Sequence, residues 1–148
     1  MLKNLKKLKG FTLIEVVIVL AIAALIILIV LQAVAAAQRT RRDTTRKSDG
    51  GRISSLLEEY ASNNSGVYPS GVSPAPTPLA AVTTYDSALG AKIKSITIVT
   101  TQPTNGAACT ATSGDEDYYI YFTSTTYRAY SLYTCLEAGG YATIKAAK

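Results

Sequence analysis

The pattern of apolar residues along the chain is dominated by one uninterrupted run near the N-terminus. Residues 16–31 are sixteen consecutive apolar residues, VVIVLAIAALIILIVL. As a helix, the segment from Phe11 to Ala37 would rise about 1.5 Å per residue, or roughly 40 Å, against a hydrocarbon layer of about 30 Å. A helix that is apolar on every side is buried in lipid or in a bundle. The pattern therefore predicts an apolar helix over residues 11–37 that can span a membrane.

The polar segment that follows, residues 38–62, is predicted to continue the helix. Between residues 52 and 62 its apolar side chains recur at helical spacing, which predicts a stripe packed against a sheet: Ile53, Leu56, Leu57 and Tyr60. Gly50 and Gly51 would each cost a helix interior about 1 kcal/mol relative to alanine. The sequence therefore predicts a kink or break at residues 50–51, with Asp49 able to cap a new segment.

A basic cluster lies between residues 38 and 52, and it consists of Arg39, Arg41, Arg42, Arg46, Lys47 and Arg52. The simplest expectation is a solvated helix face at the membrane surface, attracted to anionic lipid headgroups. Salt bridges to acidic faces of neighbouring chains are the second interpretation. DNA is a third, weaker candidate partner, because attraction to phosphate needs nothing more than exposed Arg and Lys.

The remainder of the chain, residues 63–148, is predicted to be a globular domain of loop and antiparallel sheet. Asn63 to Gly90 has the composition of a loop, with four prolines and many Ser, Gly and Asn residues. Four β-branched or aromatic runs follow, at residues 93–101, 118–123, 127–136 and 141–146. Short connections such as TSTT and EAGG favour antiparallel hairpins. The chain is thus expected to be α+β, a long N-terminal helix packed on a small antiparallel sheet.

Charge and composition narrow the classes of function. The net charge of +5 comes from the flanks of the apolar run, since residues 53–148 contain five basic and seven acidic residues. The chain has no histidine, so a Ser or Cys triad lacks its usual base and zinc lacks a credible ligand set. The glycine signatures of nucleotide-binding loops are missing as well. The composition predicts a protein that is not an enzyme and has no cofactor and no metal site.

The two cysteines, Cys109 and Cys135, are widely separated in the sequence. In a chain with an export or membrane signal they are expected to form a disulfide. Closing a loop of about 26 residues would stabilise the fold by roughly 3.5 kcal/mol in the chain-entropy model. Two free buried thiols are the alternative.

The lysine-rich N-terminus ahead of the apolar run has three interpretations. The first is a secretory signal cut after a small-residue site at residues 33–35 or 35–37, although the apolar run exceeds the usual length of about 7–15 residues. The second is an uncut signal anchor. The third is a leader cut before the apolar run, at Gly10. Basic residues flank the run on both sides, so counting them does not determine the orientation.

The segment KGFTLIE, residues 9–15, resembles the prepilin leader motif of type IV pilins and type II secretion pseudopilins. The resemblance covers about residues 1–37. It implies a leader at residues 1–10, cleavage between Gly10 and Phe11 by a prepilin peptidase, and N-methylation of Phe11. It also implies a pilus assembly ATPase and its platform protein as partners. The precursor would cross the cytoplasmic membrane once and then enter an extracellular filament.

Glu15 is the fifth residue after this cleavage site, as is the family's glutamate. A carboxylate in hydrocarbon costs several kcal/mol unless it finds a partner. The free amine of processed Phe11 would supply one, within one helix at i,i+4 spacing or, more usefully, between neighbouring subunits, where the pair would set the filament register. The alternative places Glu15 at the lipid headgroups.

Two further features of the family apply to this chain only in part. Many pilins have a proline near the middle of the helix, where this chain has Gln32, so a continuous helix is predicted there. Pseudopilins can bind calcium in a C-terminal loop, and Asp115, Glu116 and Asp117 lie in a comparable place. Three adjacent acids cannot all converge on one ion, so a solvated turn is predicted. The cysteine pair resembles the disulfide of many pilins.

The resemblance implies a structural function, polymerisation through the N-terminal helix into a pilus that serves adhesion, motility or DNA uptake. A secretion pseudopilin or a minor pilin is the alternative of the same architecture. A monomeric binding protein, membrane-anchored or secreted, is the alternative of another class. Assembly separates these classes, because only a filament subunit needs Glu15 to pair with a neighbour.

Overall fold

The computed structural model describes residues 10–109, 111 and 116–147. The chain divides into two compact units, residues 1–38 and residues 39–148. Helix α1, Leu13–Asn63, contributes to both. In the first unit every described side chain is exposed, and the helix continues through Gln32, as predicted.

In its described residues, the second unit combines residues 39–63 of α1 with two short helices and four strands. The helices are α2, Pro78–Tyr85, and α3, Ser87–Lys92; the strands are β1, Ser95–Val99, β2, Asp117–Phe122, β3, Tyr130–Cys135, and β4, Tyr141–Lys145. The strands form one sheet in the order β1-β2-β3-β4. The predicted α+β class is confirmed, since a long N-terminal helix packs on a small, mostly antiparallel sheet.

The sheet is antiparallel except at one edge. β2 pairs with β3 and β3 with β4 in antiparallel register, and the two predicted hairpins connect them. β1 pairs with β2 in parallel, with Ser95 opposite Asp117. The expectation of a wholly antiparallel sheet was therefore wrong at β1. Parallel neighbours need a long connection, which residues 100–116 provide. The described stretch of this connection, residues 100–109, is here named the crossover.

The hydrophobic core lies between α1 and one face of the sheet. Ile53 and Leu57 on α1 are buried, and they pack in one cluster with residues from β2 and β3, among them Tyr118, Ile120 and Leu132. Ile53 and Leu57 belong to the stripe that the sequence predicted, and Ala61 extends it by one turn. The stripe is the contribution of α1 to this core, which also contains Val82 of α2 and Leu89 of α3.

Gly50 marks the closest approach of α1 to the sheet. A Cβ atom at this position would lie 2.9 Å from Ile144 Cγ1 and 3.1 Å from Tyr118 Cε1. Glycine is thus required by packing, and α1 continues through residues 50 and 51 without a break. The predicted break, with Asp49 as a new cap, was wrong, because contact with the sheet offsets the helix propensity that glycine lacks. A kink without a break stays a prediction.

Residues 63–90 are not wholly loop, contrary to prediction. Thr77 caps α2, since its Oγ1 accepts from Ala80 N at 3.2 Å, and Pro78 follows at the first helical position. Asp86 caps α3 by accepting from Leu89 N at 2.9 Å. Proline at such a position favours a helix, so the prolines that suggested a loop include one that starts a helix.

β3 is buried along its whole length because both of its faces are covered. Tyr130 and Leu132 face the α1 core, and alternate side chains of a strand point the other way. On that opposite face the crossover passes over the sheet, where Gln102 donates to the Tyr133 hydroxyl at 2.8 Å. Beyond it, Gly106 N donates to Tyr141 O at 2.8 Å. The crossover thus acts as a second layer on the sheet.

Candidate processing and assembly site

The segment around the predicted cleavage point is exposed and precedes the helix. Gly10, Phe11 and Thr12 all lie outside α1, and the Phe11 side chain is 84% exposed. A Cβ atom at Gly10 would meet nothing within 4 Å. The predicted helix over residues 11–37 therefore begins two residues late, and the peptide bond between Gly10 and Phe11 is accessible within the described chain.

Thr12 is the N-cap of α1, a role that the sequence analysis did not identify. Its Oγ1 accepts a hydrogen bond from Glu15 N at 3.3 Å. A threonine followed three residues later by glutamate, ahead of an apolar run, is the signature of a capping box, and this signal was present in the sequence. It places Glu15 in the first turn, where the helix dipole favours a negative charge.

Phe11 and Glu15 border the same shallow surface pocket, together with Val16, Val19 and Leu20. Phe11 is not helical, so the predicted i,i+4 relation within one helix does not describe the pair. The Glu15 side chain is exposed. The two residues share one side of the helix start, where a group from another chain could reach both.

The apolar part of α1 has its hydrophobic side chains exposed. Its most apolar 18-residue window has a mean hydropathy of 3.4, and none of that window is buried within the chain. By length and composition this helix can cross a membrane. Exposed apolar area on this scale marks a surface that something else covers, which is either lipid or other helices.

Four of the six basic residues, Arg39, Arg41, Lys47 and Arg52, are exposed as predicted for a solvated face, whereas Arg42 is partly buried and Arg46 is buried. Asp43 and Arg46 are buried, and Arg46 forms ion pairs with Asp43 Oδ1 at 3.0 Å and with Glu137 Oε1 at 2.8 Å. Arg42 pairs with Glu137 Oε2 at 2.7 Å. We name these four residues, Arg42, Asp43, Arg46 and Glu137, the clamp. It fixes α1 to the β3–β4 connection, because Asp43 also accepts from the backbone N–H groups of Glu137 and Ala138.

Hydrogen bonds and charge define the protonation state of the clamp. The hydrogen bonds from Arg42, with the charges of Arg46 and Arg42, outweigh desolvation and hold the pKa of the Glu137 carboxyl below its usual value. The bond with Glu137 in turn raises the pKa of the Arg42 guanidinium. Arg42 and Glu137 therefore pair as ions near neutral pH.

A second ion group, with two buried carboxylates and a half-exposed lysine, lies beside the clamp. Lys92 of α3 pairs with Asp49 and with Glu116 Oε1, the latter at 2.9 Å. The Tyr118 hydroxyl lies within hydrogen-bonding distance of Arg46 O and Glu116 Oε2, and burial raises its pKa. Burial works against the Lys92 charge, yet hydrogen bonds to Asp49 and Glu116 outweigh it and raise the pKa of the Lys92 ammonium.

The acidic residues of the 115–117 triplet that the structure describes, Glu116 and Asp117, have different partners. Glu116 is buried and pairs with Lys92, and Asp117 begins β2 and accepts from Ser95 Oγ at 2.6 Å. Asp115 lies outside the described residues. The predicted solvated turn was therefore wrong for Glu116, whose oxygens bind side chains of the chain itself. Within the described ranges, no group of three or more His, Cys, Asp or Glu residues could hold a metal ion.

Cys109 and Cys135 form the predicted disulfide, with a Cα–Cα distance of 6.0 Å. The bond joins the crossover to the end of β3. It keeps the crossover on the sheet face opposite α1.

Comparison with known families identifies one match at the N-terminus. Residues 5–31 match the model described as the prokaryotic N-terminal methylation motif. This motif, the prepilin leader, is typical of type IV pilins and pseudopilins, so the resemblance predicted from KGFTLIE is confirmed over this segment. No curated protein and no solved structure matches the chain. The chain thus combines a motif that is typical of type IV pilins and pseudopilins with a pilin-like α+β fold.

Proposed function

We propose that the chain is the structural subunit of an extracellular type IV pilus-like filament. The observation that carries this proposal is the methylation motif at residues 5–31, which coincides with an exposed junction at Gly10 and Phe11. Proteins with this motif are generally non-enzymatic structural subunits. A prepilin peptidase removes residues 1–10, and methylation of Phe11 follows.

Processing prepares α1 for assembly. The precursor crosses the cytoplasmic membrane once, and an assembly ATPase with its platform protein transfers it to the filament. The exposed apolar side chains of α1 then leave lipid and pack against copies of themselves. Small residues on this helix, such as Ala21, Ala23 and Ala24, allow close approach of neighbouring helices.

Glu15 sets the register of that packing. In the filament its carboxylate pairs with the Phe11 amine of a neighbouring subunit, since any other stagger leaves a charge in an apolar environment. The shared pocket of Phe11 and Glu15 supports this role, because it puts donor and acceptor on one side of the helix start.

The first experiment is the mass of the mature N-terminal peptide isolated from native cells. We expect a peptide that begins at N-methylated Phe11. A peptide that begins near Ala36 or Gln38 would indicate ordinary secretion, and an intact Met1 would indicate an uncut anchor. Either result contradicts the proposal, because Glu15 then lacks its amine.

The second experiment tests the charge of Glu15 apart from its place in the capping box. Glutamine also serves at this capping position, so Glu15→Gln keeps the start of the helix and removes the charge. We expect membrane insertion and loss of surface filaments, seen by electron microscopy of sheared filaments. Glu59→Gln is the matched control, since Glu59 is an exposed carboxylate on the same helix. Filaments of the Glu15→Gln variant at the parental level would refute the register mechanism.

A pseudopilin or a minor pilin would share this assembly mechanism but would be less abundant in purified surface filaments than a major pilin. We expect the chain to be the bulk component of purified filaments. Its presence there only in trace amounts would assign it to the minor or secretion class, with the assembly chemistry unchanged.

A further inference from the structure

A surface pocket of about 490 Å³ lies in the second unit and is lined by residues outside the clamp. Glu58 of α1, Tyr68, Arg128, Tyr130 and Lys145 line it together with three alanines. Its volume falls in the range of about 300–1,000 Å³ that is usual for small-molecule sites. We name it the Tyr68 pocket.

The walls of the Tyr68 pocket are held in place by the fold. The Tyr68 and Tyr130 rings meet edge to face with centroids 4.5 Å apart. Tyr68 N donates to Tyr127 O at 2.9 Å, which ties the loop after α1 to the β2–β3 connection. Tyr130 is buried, and its hydroxyl contacts Ser54 Oγ at 3.1 Å. The aromatic wall is thus preformed, so a ligand would not have to order it.

The charged side chains around the pocket differ in how many of their hydrogen-bonding groups already have a partner within the protein. Lys145 pairs with Glu58, and its Nζ lies 4.5 Å from the Tyr130 ring centroid. Arg128 is exposed, and in the described part of the chain its guanidinium makes one hydrogen bond, from Nη1 to Ser65 O at 3.1 Å. A guanidinium has five N–H donors. Arg128 therefore retains a donor fork of the kind that binds a carboxylate at two points.

The combination selects a class of ligand. Arg128 can only donate, and the half-exposed Glu58 carboxylate can only accept. A ligand with a single carboxylate fits Arg128, and its hydroxyl groups can donate to Glu58, which would repel a second anion. Tyr68 and the three alanines supply apolar lining against which a sugar ring can pack, and Lys145 Nζ lies 5.6 Å from the Tyr68 ring centroid. We propose that the Tyr68 pocket binds an acidic saccharide of the uronic acid type.

This proposal goes beyond filament assembly, and its failure would leave the assembly mechanism untouched. The pocket lies in the second unit, whereas Phe11 and Glu15 lie in the first. In an exported protein, such a pocket would give the chain an adhesive function toward acidic polysaccharide.

The alanine methyl groups of Ala129, Ala146 and Ala147 provide a direct probe of the pocket. Oxidised full-length chain, labelled with ¹³C-methyl alanine in detergent micelles, is titrated with sodium glucuronate and observed by NMR. We expect saturable shifts of these three signals with glucuronate, and shifts at least tenfold weaker in apparent affinity with glucose or with acetate. Equal binding of glucose would refute recognition through Arg128, and equal binding of acetate or of the dipeptide Gly-Ala would refute the saccharide class. The absence of any shift would refute the site.

Variants of Arg128 complete the test. A charged hydrogen bond contributes enough that Arg128→Gln should weaken glucuronate binding roughly tenfold or more. Arg128→Lys keeps the positive charge but not the two-point donor geometry, so its affinity for glucuronate should lie between those of the parent chain and Arg128→Gln. Arg41→Gln, which removes an exposed cation on α1, should bind like the parent chain. Near-UV circular dichroism identifies a variant that fails to fold, and unchanged binding by folded Arg128→Gln would overturn the proposal.

Discussion

The two parts of α1 obey opposite rules within one continuous helix. Up to Gln38 the helix exposes every described side chain, although most are apolar. Beyond it the helix buries charged residues, with Arg46 2% exposed and Asp43 and Asp49 each 6% exposed. Exposed apolar side chains and buried charged side chains are both unusual in a folded protein, and each indicates where the side chain finds its partner. The buried charges are paired within the chain, whereas the apolar side chains need a partner that is not part of it.

This comparison also separates stability from assembly. Substitutions in the clamp should change the free energy of unfolding of the second unit, and substitutions in the apolar part of α1 should leave it unchanged. Because the chain has ten tyrosines and no tryptophan, tyrosine near-UV circular dichroism can follow unfolding of the tyrosine-rich second unit in urea.

The largest effect is expected for Arg46→Ala. This change leaves Asp43 and Glu137 buried without their shared cation, and removing one partner of a buried ion pair costs about 3–5 kcal/mol. Lys47→Ala, at the exposed neighbouring position, should change stability by less than about 0.5 kcal/mol. Equal effects of the two substitutions would show that the clamp does not hold α1 to the sheet.

Gly50→Ala and Gly51→Ala should have opposite signs. A methyl group at residue 50 meets Ile144 and Tyr118, whereas at residue 51 nothing lies within 4 Å. We expect Gly50→Ala to destabilise by about 1–3 kcal/mol through overpacking, and Gly51→Ala to stabilise by up to about 1 kcal/mol through helix propensity. Urea midpoints measured side by side provide the test. Stabilisation by both would mean that α1 does not need close contact with the sheet.

Acid should weaken the clamp through Glu137. Its folded pKa is lowered from 4.5, so the unfolded chain binds more protons. The stabilisation is present above the unfolded pKa and is lost as pH falls through the folded value. One such group contributes a slope of at most about 1.4 kcal/mol per pH unit. Glu137→Gln should reduce the slope of the free energy of unfolding below about pH 4.5, and an unchanged slope would contradict the charged state assigned here.

The smallest effect is expected in the apolar part of α1. Leu28 is 57% exposed, so Leu28→Ala should change the unfolding free energy of the second unit by less than about 0.5 kcal/mol. Leu57→Ala, the same substitution at a 1% exposed site, should cost about 2–5 kcal/mol. A comparable loss in both variants would mean that the apolar helix stabilises the second unit after all.

The sequence predicted the features that depend on residues close together in the chain, and it did not predict those that depend on distant residues. The apolar helix, the stripe with Ile53 and Leu57, the four strand runs and the motif at Gly10, Phe11 and Glu15 are local patterns. The clamp joins Arg42 and Arg46 to Glu137, which lies 95 and 91 residues away in the sequence. Because that partner is so distant, the sequence predicted that both arginines are solvated. The parallel pairing of β1 was hidden for the same reason.

Gly50 illustrates a different limit. By helix propensity alone, a glycine at this position is expected to destabilise the helix. In the structure, the same glycine allows α1 to pack closely against the sheet. The positions of Ile144 on β4 and Tyr118 on β2 distinguish the two cases. The capping box of Thr12 and Glu15, by contrast, was a local signal that could have been identified.

The crossover has a consequence for the order in which the sheet forms. β2, β3 and β4 follow one another through short connections, so their pairing closes small loops and costs little chain entropy. β1 pairs with β2 across the longer connection of residues 100–116, and contacts of greater sequence separation form more slowly. We therefore expect the strand that comes first in the chain to join the sheet last. An emerging chain can acquire a three-stranded meander on α1 before its edge is completed.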